Sequence, residues 1–446
     1  MLGAARGYFA TGATRQLGER KAVLARLRDW IRAHDGDICD ALYADLHKAP
    51  FESWASEIGV VVDEIDYALR HLDEWSRPVS MHSNIKVAPA RAVKHPEPYG
   101  VALIMAPWNY PFMLTIDPLV AAVAAGNCAV LKPSNYSAAT SDVIARMCAE
   151  VFEPGHVGTV LGGRDQNTAL LDQNFDLIFF TGSSGVGTVV LQAAAKHLTP
   201  VVLELGGKSP CIVDPTASVK LAAKRIVWGK FLNAGQTCVA PDYVLAHESI
   251  VDELIAEMTH WIGKFYGDAM TNSDYPHIIN DRSFQRLTAL IDPAKVVCGG
   301  RSDAATRCIE PTIMRDVTMT DPVMAQEIFG PVLPVLTWSE PDDVLGMVAQ
   351  RPQPLACYVF SDDDATQRLF MNHIAFGGGC INDCVVHVAT ELPFGGVGNS
   401  GMGNYHGKAG FDTFTHYKSV LDRSKIDVPL RYPPYSRAKL EFIKHL

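Results

Sequence analysis

The sequence predicts an α/β protein with two doubly wound domains and a smaller β element. Short apolar runs alternate with segments of helix length between residues 100 and 204, and each run is continuously apolar. Such runs are typical of parallel strands that helices cover on both faces. A similar alternation between residues 206 and 394 predicts the second α/β domain.

The chain opens with a helical region. Apolar side chains recur at three-, four- and seven-residue spacing over Leu17–Ile31 and Ile58–Leu69, which predicts amphipathic helices between about Thr14 and Trp75. Residues 76–99 are rich in proline, with a short alternating apolar pattern between the prolines. This pattern indicates a connecting hairpin that leaves the helices.

The first α/β region reads as strand and helix in alternation: VALIMAP, TIDPLVAAVAAG, NCAVLKP, SAATSDVIARMCAEV, LIFFTG and VVLQAAAKH. The second region contains PCIVD, YVLAHESIVDELIAEMTHWI and LACYVF. In open parallel sheets, ligands bind outside the carboxyl ends of the strands. We therefore expect a cofactor crevice at those ends.

Composition and charge exclude several classes of function. A formal net charge of −10 without a basic stripe argues against a nucleic-acid partner. The most apolar stretch, Pro118–Leu131, is too short to cross a hydrocarbon layer of ~30 Å, and no export signal or lipid anchor is recognised. The ten cysteines show neither CxxC pairs nor metal-ligand spacing. We expect a cytoplasmic protein with reduced thiols, no metal and no membrane anchor.

A glycine turn follows the LIFFTG strand and opens a helix. It runs from Gly182 to Gly187 as GSSGVG. Glycines let backbone amides approach a phosphate, and a helix N-terminus favours its charge. The same turn is also typical of tight packing between a strand and a helix, so alone it leaves both interpretations open.

Two side chains of reactive types lie next to predicted turns. Glu204 ends an apolar strand before two glycines, where a carboxylate is either a general base or an exposed strand-end residue. Cys238 follows the small polar run NAGQT, where a thiol is either a nucleophile or a structural residue. The other nine cysteines mostly lie in apolar segments, which favours small core residues.

The order of these motifs resembles the aldehyde dehydrogenase superfamily. The chain carries WNYP at Trp108–Pro111, KPS at Lys132–Ser134, the glycine turn, Glu204, Cys238 and EIFGP at Glu327–Pro331, in that order. The resemblance covers nearly the whole chain and is strongest to class 3, through TPVVLELGGKSP, GQTCVAPDYVL, QEIFGPVLP, PFGGVGNSGMG and RYPP. It implies the fold of that superfamily, in which a small β element bridges the two domains and supports the oligomer.

The resemblance implies a catalytic set of three residues. Cys238 matches the nucleophile that attacks the aldehyde carbonyl. Asn109 matches the side-chain donor that forms an oxyanion hole with the Cys238 backbone N–H. Glu204 matches the base that activates water to hydrolyse the thioester. The expected activity is therefore NAD(P)-dependent oxidation of an aldehyde to a carboxylic acid.

The resemblance also implies a site for NAD or NADP. Lys132 matches a ribose-binding lysine, and Glu327 matches the carboxylate that holds the nicotinamide ribose. Family members usually carry glutamate three residues after the lysine, and that acid repels the 2′-phosphate of NADP; here the position is Asn135, which keeps a hydrogen bond without the charge. We expect both cofactors to be accepted. The expected contacts are Trp108, Lys132, Ser134, Asn135, Gly182, Ser183, Ser184, Gly185, Val186, Gly187, Glu327 and Phe329.

For the substrate, the resemblance implies medium-chain aliphatic or aromatic aldehydes, and it implies a homodimer. Tyr110 and Trp228 match aromatic positions of a largely apolar entrance pocket. Two alternatives stay open. The first is a coenzyme A-acylating semialdehyde dehydrogenase, against which Glu204 argues because transfer to a thiol does not need that base. The second is a non-catalytic structural protein on the same fold, which the intact catalytic set disfavours.

The resemblance also gives expected domain boundaries. These are residues 1–78 and 100–204 for the cofactor-binding domain, 205–396 for the catalytic domain, 79–99 and 397–424 for the bridging and oligomerisation element, and 425–446 for a C-terminal tail.

Overall fold

The fold is given by a computed structural model that describes residues 1–83, 89–389, 391–427 and 429–445. Its helices, in chain order, are α1 (Leu2–Ala10), α2 (Leu17–Ala33), α3 (Asp35–Leu46), α4 (Pro50–Ser53), α5 (Gly59–Trp75), α6 (Met113–Ala125), α7 (Ala138–Val151), α8 (Arg164–Leu171), α9 (Ser184–Ala195), α10 (Val219–Phe231), α11 (Val251–Tyr266), α12 (Asp281–Thr288), α13 (Pro322–Ala325), α14 (Pro341–Ala349), α15 (Asp364–His373), α16 (Gly407–Thr413) and α17 (Arg437–Lys444).

The strands are likewise numbered in chain order. They are β1 (Val79–Met81), β2 (Ala90–Pro98), β3 (Val101–Met105), β4 (Cys128–Lys132), β5 (Val157–Thr159), β6 (Leu177–Thr181), β7 (Val201–Glu204), β8 (Pro210–Val213), β9 (Tyr243–His247), β10 (Val296–Cys298), β11 (Ser302–Asp303), β12 (Cys308–Ile309), β13 (Thr312–Met314), β14 (Val332–Trp338), β15 (Ala356–Phe360), β16 (Gly378–Ile381), β17 (Gly401–Met402) and β18 (Thr415–Arg423).

The helical opening predicted from the apolar spacing is confirmed. The stripes of α2 and α5 enter one large core, in which Leu24, Leu27, Ile31 and Ile65 are fully covered, and α2 and α3 pack against α7. Helix α1 lies outside the predicted helical range. Its sequence LGAARGYFA buries only Ala5, so it carries no apolar stripe that would have indicated a helix.

The first α/β region forms a sheet with the order β17-β7-β6-β3-β4-β5, parallel except where β17 meets β7. Alternate side chains of β3 enter two different cores: Ala102 and Ile104 pack with α6, whereas Leu103 and Met105 pack with α9. The sheet is therefore covered on both faces, as its continuous apolar strands predicted. The register sets Met105 opposite both Lys132 and Phe180, so the carboxyl ends of these strands share one edge.

The second α/β region forms a sheet with the order β10-β13-β14-β9-β8-β15-β16, parallel except where β10 meets β13. On β8, Cys211 and Val213 pack with α10 and α11, whereas Ile212 packs in the core that holds α14 and α15. The second doubly wound domain is thus confirmed.

A three-stranded antiparallel sheet of β1, β2 and β18 completes the fold. The hairpin predicted for residues 76–99 is confirmed by β1 and β2, although residues 84–88 of its connection lie outside the described residues. Segment 397–424, expected as one part of the bridging element, is divided. Strand β18 joins the small sheet, whereas β17 pairs with β7 and α16 packs against α5 and α6. The domain boundaries otherwise stay a prediction.

The apolar stretch Pro118–Leu131 lies in the protein core. It forms most of α6 and β4, which pack against each other, and α6 also packs against α2, α5 and α16. Among the residues that the structure describes, no helix is both long and apolar enough to cross a membrane.

Candidate active site

Two cavities meet beside Cys238 and Glu204. A largely apolar cavity of about 340 Å³ opens on one side, and a second cavity of about 240 Å³ opens on the other. Cys238, Glu204 and Thr181 line both cavities. A reactant in one cavity therefore meets a reactant in the other at the predicted nucleophile and base.

Cys238 follows a strained loop between α10 and β9. Asn233, Ala234 and Gly235 all have positive φ angles, of 52°, 50° and 72°. A Cβ at Gly235 would lie 2.3 Å from the Gly330 carbonyl oxygen, so glycine is required there for a close approach as well as for its φ. Such strain persists only where surrounding contacts hold it, and it concentrates at functional sites.

The thiol of Cys238 is half-buried. Its pKa is raised far above the ordinary thiol range, first by burial and then by the carboxyl groups of Glu327 and Glu204. The backbone N–H groups of Cys238 and Val239 act in the opposite direction. The resting residue is therefore a thiol at neutral pH, and two backbone donors stand ready beside the sulfur when charge develops there.

Asn109 lies against the cysteine loop and is 2% exposed. Its Nδ2 donates a 3.0 Å hydrogen bond to the Gln236 carbonyl oxygen. Its own carbonyl oxygen accepts a 2.7 Å bond from Asn233 Nδ2. The WNYP loop after β3 and the NAGQT loop before Cys238 are thus tied together by reciprocal bonds, and this places the Asn109 amide next to the nucleophile.

A buried ion pair supports the WNYP loop from behind. Lys48 and Glu57 are both 0% exposed, with Nζ 2.5 Å from Oε1. Lys48 also donates to the Asn109 carbonyl oxygen at 3.3 Å, and Glu57 Oε2 accepts the backbone N–H groups of Phe112 and Met113. The sequence analysis missed this pair, because two charged residues on a helical segment are indistinguishable from a solvated face.

Glu204 ends β7, opposite Thr181 of β6 and Gly401 of β17. It is 2% exposed, which rules out the alternative of an exposed strand-end carboxylate. Neither carboxyl oxygen has a hydrogen-bond partner among the described residues. Burial raises the pKa of Glu204 well above its ordinary value, so this carboxylate is a stronger base than an exposed glutamate.

The second cavity brings together Glu327, Phe329 and Trp108. Glu327 Oε1 accepts a 3.1 Å hydrogen bond from the Gly207 N–H, and burial together with Asp242 raises its pKa to about 8. The rings of Trp108 and Phe329 meet edge to face at 5.4 Å. Thr181, at the end of the LIFFTG strand, and Arg286 also line this cavity. Neither was among the predicted site residues, and Arg286 has no motif around it.

The glycine turn combines tight packing at one glycine with open space at another. A Cβ at Gly187 would lie 2.8 Å from Leu205, so this glycine is needed for packing. A Cβ at Gly185 would meet nothing within 4 Å, and residues 183–186 are exposed. The N-terminus of α9 therefore stays open to a ligand, and Gly182 and Ser183 line the second cavity.

Lys132, Ser134 and Asn135 follow β4 at the same sheet edge but do not line either cavity. The Lys132 ammonium is buried and donates to the Pro133 carbonyl oxygen at 2.7 Å, and burial lowers its pKa. Asn135 is exposed, within 4 Å of the position of a Cβ at Gly163, before α8. These residues extend the crevice along the strand ends, away from the nucleophile.

The apolar cavity contains both aromatic residues predicted for the entrance pocket. Tyr110 is buried, and its hydroxyl lies 2.7 Å from Thr237 Oγ1. Trp228 on α10 is 40% exposed and lines the same cavity. Within the part of the chain that the structure describes, no group of three or more potential ligands could hold a metal ion.

The chain is similar to known proteins along nearly its whole length. A family model described as "Aldehyde dehydrogenase family" matches residues 1–420. The chain belongs to the aldehyde dehydrogenase family. A solved structure, described as the substrate-bound state of Staphylococcus aureus AldH, matches with a TM-score of 0.97 and 43% identity, over 99% of this chain and 97% of that one.

Three curated relatives place the chain in class 3 of the aldehyde dehydrogenases. It is 45% identical over 445 residues to a 4,4'-diaponeurosporen-aldehyde dehydrogenase of Staphylococcus aureus, covering 98% of this chain and 96% of the relative. It is 44% identical over 441 residues to a "dimeric NADP-preferring" aldehyde dehydrogenase of Canis lupus familiaris, covering 98% and 97%. It is 44% identical over 444 residues to aldehyde dehydrogenase family 3 member B1 of Mus musculus, covering 98% and 95%.

These matches confirm the family, the class and the fold that the sequence resemblance implied. This aldehyde dehydrogenase is an oxidoreductase that acts on aldehydes with NAD or NADP as its cofactor.

Proposed function

We propose that Cys238 is the nucleophile and that it forms a covalent bond to the aldehyde carbonyl carbon. The single observation that carries this proposal is the position of Cys238 at the junction of two cavities. The thiol proton passes to water, and the resulting thiolate attacks to give a thiohemiacetal with a negative oxygen. The Asn109 amide and the Cys238 backbone N–H are the donors proposed to hold that oxygen, and one such donor contributes roughly 10²–10³ in rate.

Hydrolysis is assigned to Glu204. A bound NAD or NADP would supply the hydride acceptor, and loss of hydride from the substrate carbon leaves a thioester on Cys238. Glu204 removes a proton from water, the hydroxide attacks the thioester carbon, and the C–S bond breaks to release a carboxylic acid and restore Cys238. The raised pKa and the unpartnered oxygens of Glu204 support this role.

The residues around the second cavity fit a dinucleotide. The open N-terminus of α9 offers backbone N–H groups to a pyrophosphate. Glu327 offers a carboxyl group to ribose hydroxyls, and Trp108 and Phe329 form an aromatic wall. We assign Lys132, Ser134 and Asn135 to the adenosine end, because they lie farther along the same sheet edge.

Asn135 supports the use of both cofactors. An amide at this position accepts or donates a hydrogen bond without repelling a 2′-phosphate. In Asn135→Glu, turnover with NADP is expected to fall by at least tenfold while turnover with NAD stays within about twofold. Steady-state rates with each cofactor at saturating aldehyde measure this, and unchanged use of NADP would refute it.

The proposed substrates are medium-chain aliphatic or aromatic aldehydes. The cavity that reaches Cys238 from the α10 side is largely apolar, with Met113, Leu232, Phe265 and Val388 among its lining residues. Apolar surface of this kind binds hydrocarbon chains and rings through the area removed from water.

We also propose a homodimer located in the cytoplasm. Strand β18 has no neighbour on one side among the described strands, and Val420 and Leu421 are 39% and 45% exposed. An uncovered edge with apolar side chains is a surface that a second copy covers in symmetric dimers. All ten cysteines are free thiols, which supports a reducing compartment.

The test is the absorbance of reduced nicotinamide after hexanal or benzaldehyde is added with NAD and without coenzyme A. Wild type and Cys298→Ala, a matched change at another half-buried thiol, should turn over, whereas Cys238→Ala should not. Turnover that begins only when coenzyme A is added would mean that the acyl group is transferred to coenzyme A and is not hydrolysed. Undiminished turnover in Cys238→Ala would show that Cys238 is not the nucleophile.

A further inference from the structure

The wall of the apolar cavity contains the carboxyl group of Glu52. This carboxyl group has no role in the mechanism above. It lies on α4, is half-buried, and lines the same cavity as Cys238 and Trp228. Its Oε1 accepts a 2.8 Å hydrogen bond from the Asn233 backbone N–H. No hydrogen-bond partner for Oε2 lies among the described residues, so that oxygen is left for a ligand.

The surroundings of Glu52 are mainly apolar. Phe51 and Leu232 line the same cavity and have no polar side-chain atoms. Burial raises the pKa of Glu52 to about 7 against the opposing charge of Lys48. The carboxyl group is half-buried, so water solvates its free oxygen until a substrate fills the cavity, and a hydroxyl group on that substrate replaces the lost hydrogen bond.

We propose that Glu52 Oε2 accepts a hydrogen bond from a hydroxyl group of the substrate, so that this enzyme prefers hydroxylated aromatic or aliphatic aldehydes to their unsubstituted analogues. The proposal rests on the proposed function, because it requires the aldehyde carbon to lie at Cys238. Glu52, Tyr110 and Cys238 line one cavity of about 340 Å³, so a single substrate in that cavity contacts both Glu52 and Cys238.

A hydroxyl group fits this position better than an ammonium group. Because the pKa of Glu52 is raised to about 7, its carboxyl group is only partly charged at neutral pH. An ammonium group depends on that charge, whereas a neutral hydroxyl donor binds an acceptor oxygen of either form. A site that hydrogen-bonds a hydroxyl rejects analogues that lack it, and one bond to a charged acceptor corresponds to roughly 10-fold to 100-fold in kcat/KM.

The experiment compares kcat/KM for matched pairs of aldehydes. The pairs are para-hydroxybenzaldehyde with para-methylbenzaldehyde, meta-hydroxybenzaldehyde with meta-methylbenzaldehyde, and an ω-hydroxyalkanal with the alkanal of equal length. Glu52→Gln is the diagnostic variant, because its amide oxygen still accepts the Asn233 N–H while its other terminal atom becomes a donor. Asp63→Asn removes an equal charge from an exposed position on α5 and is the control.

We expect wild type and Asp63→Asn to prefer the hydroxyl member of at least one pair by about tenfold or more. Glu52→Gln should lose that preference while its kcat/KM for the methyl or unsubstituted member stays within about twofold. Equal losses for both members would mean that Glu52 only supports the Cys238 loop, and this would overturn the proposal.

The hydroxyl preference of wild type tests the proposal even if Glu52→Gln does not fold. Absence of a hydroxyl preference in every pair contradicts the proposal, and so does a stronger preference for an ω-aminoalkanal. Failure of the proposed function would look different, because Cys238→Ala would then turn over every aldehyde at the wild-type rate.

Discussion

The carboxyl group of Glu204 has no hydrogen-bond donor among the described residues, and its pKa is raised by burial. In Glu204→Gln, the first hydride transfer should survive because it does not need this base, whereas release of the acid should slow by roughly 10²–10⁴. Stopped-flow absorbance should therefore show a burst of about one reduced nicotinamide per site, followed by a slow steady state. Loss of the burst itself would place Glu204 in the first step.

Glu327 raises the pKa of the Cys238 thiol more than any other charged group does. Because the pKa of Glu327 is about 8, its carboxylate is charged above that pH and opposes formation of the thiolate. Glu327→Gln removes the charge, so thiolate should form at lower pH. The pH profile of Cys238 alkylation, followed on its peptide by mass spectrometry, should shift downward by about one pH unit. An upward shift or none would contradict this electrostatic coupling.

Single residues were the hardest to interpret from sequence. Cys238 and Glu204 each allowed a structural interpretation, and only the order of motifs along the chain favoured chemistry. Burial of Glu204 removes one of those alternatives. No sequence pattern identified Glu52, Lys48 or Arg286 as a site residue. A charged residue becomes part of a site only when another element packs over it, and a local pattern does not show that packing.

Among the elements, the segment between the end of α3 and the start of α5 carries the buried Lys48–Glu57 pair beneath the WNYP loop. Lys48→Met leaves Glu57 buried and unpaired, which should lower the free energy of unfolding by roughly 3–5 kcal/mol. Lys196→Met removes one partner of an exposed pair, Lys196 and Asp172 at 3.3 Å, and should cost at most about 1 kcal/mol. Urea unfolding of both variants measures the difference, and equal costs would contradict the structural role of the buried pair.

The two parallel sheets were predictable because each of their central strands is continuously apolar. The small elements were not. Strand β17 has only two residues, Gly401 and Met402, and its pairing with β7 depends on tertiary contacts rather than on local pattern. Helix α1 has mostly small residues and buries only Ala5. Where local apolar periodicity is absent, the sequence provides no signal for the element.

At the scale of the whole molecule, the edge of β18 predicts the oligomeric state. Val420→Lys places a charge on an exposed edge strand and should shift the protein toward monomers. Leu198→Lys is the matched control, since Leu198 is 91% exposed and far from β18 in the chain. Light scattering after size-exclusion chromatography measures both masses. If wild type is a dimer and Val420→Lys has the same mass, the interface lies elsewhere.

The site is shared between the two α/β regions. Asn109 follows β3 and Glu204 ends β7 of the first sheet, whereas Cys238 and Glu327 come from the second region. The doubly wound pattern predicted one cofactor crevice at the strand ends, but it did not predict that a second cavity would meet it at one thiol. That arrangement depends on contacts between the regions, such as the bond from Asn109 Nδ2 to Gln236, and a local pattern does not contain them.

The measurement that tests the central claim most directly is mass spectrometry of Glu204→Gln, quenched within seconds of mixing with hexanal and NAD. The account predicts that the protein gains the mass of one acyl group and that the gain maps to the peptide containing Cys238. The same treatment without NAD should leave no acyl group, since a thioester forms only after hydride has left. An acyl group on another residue, or burst reduction of NAD with no covalent adduct, would contradict the account.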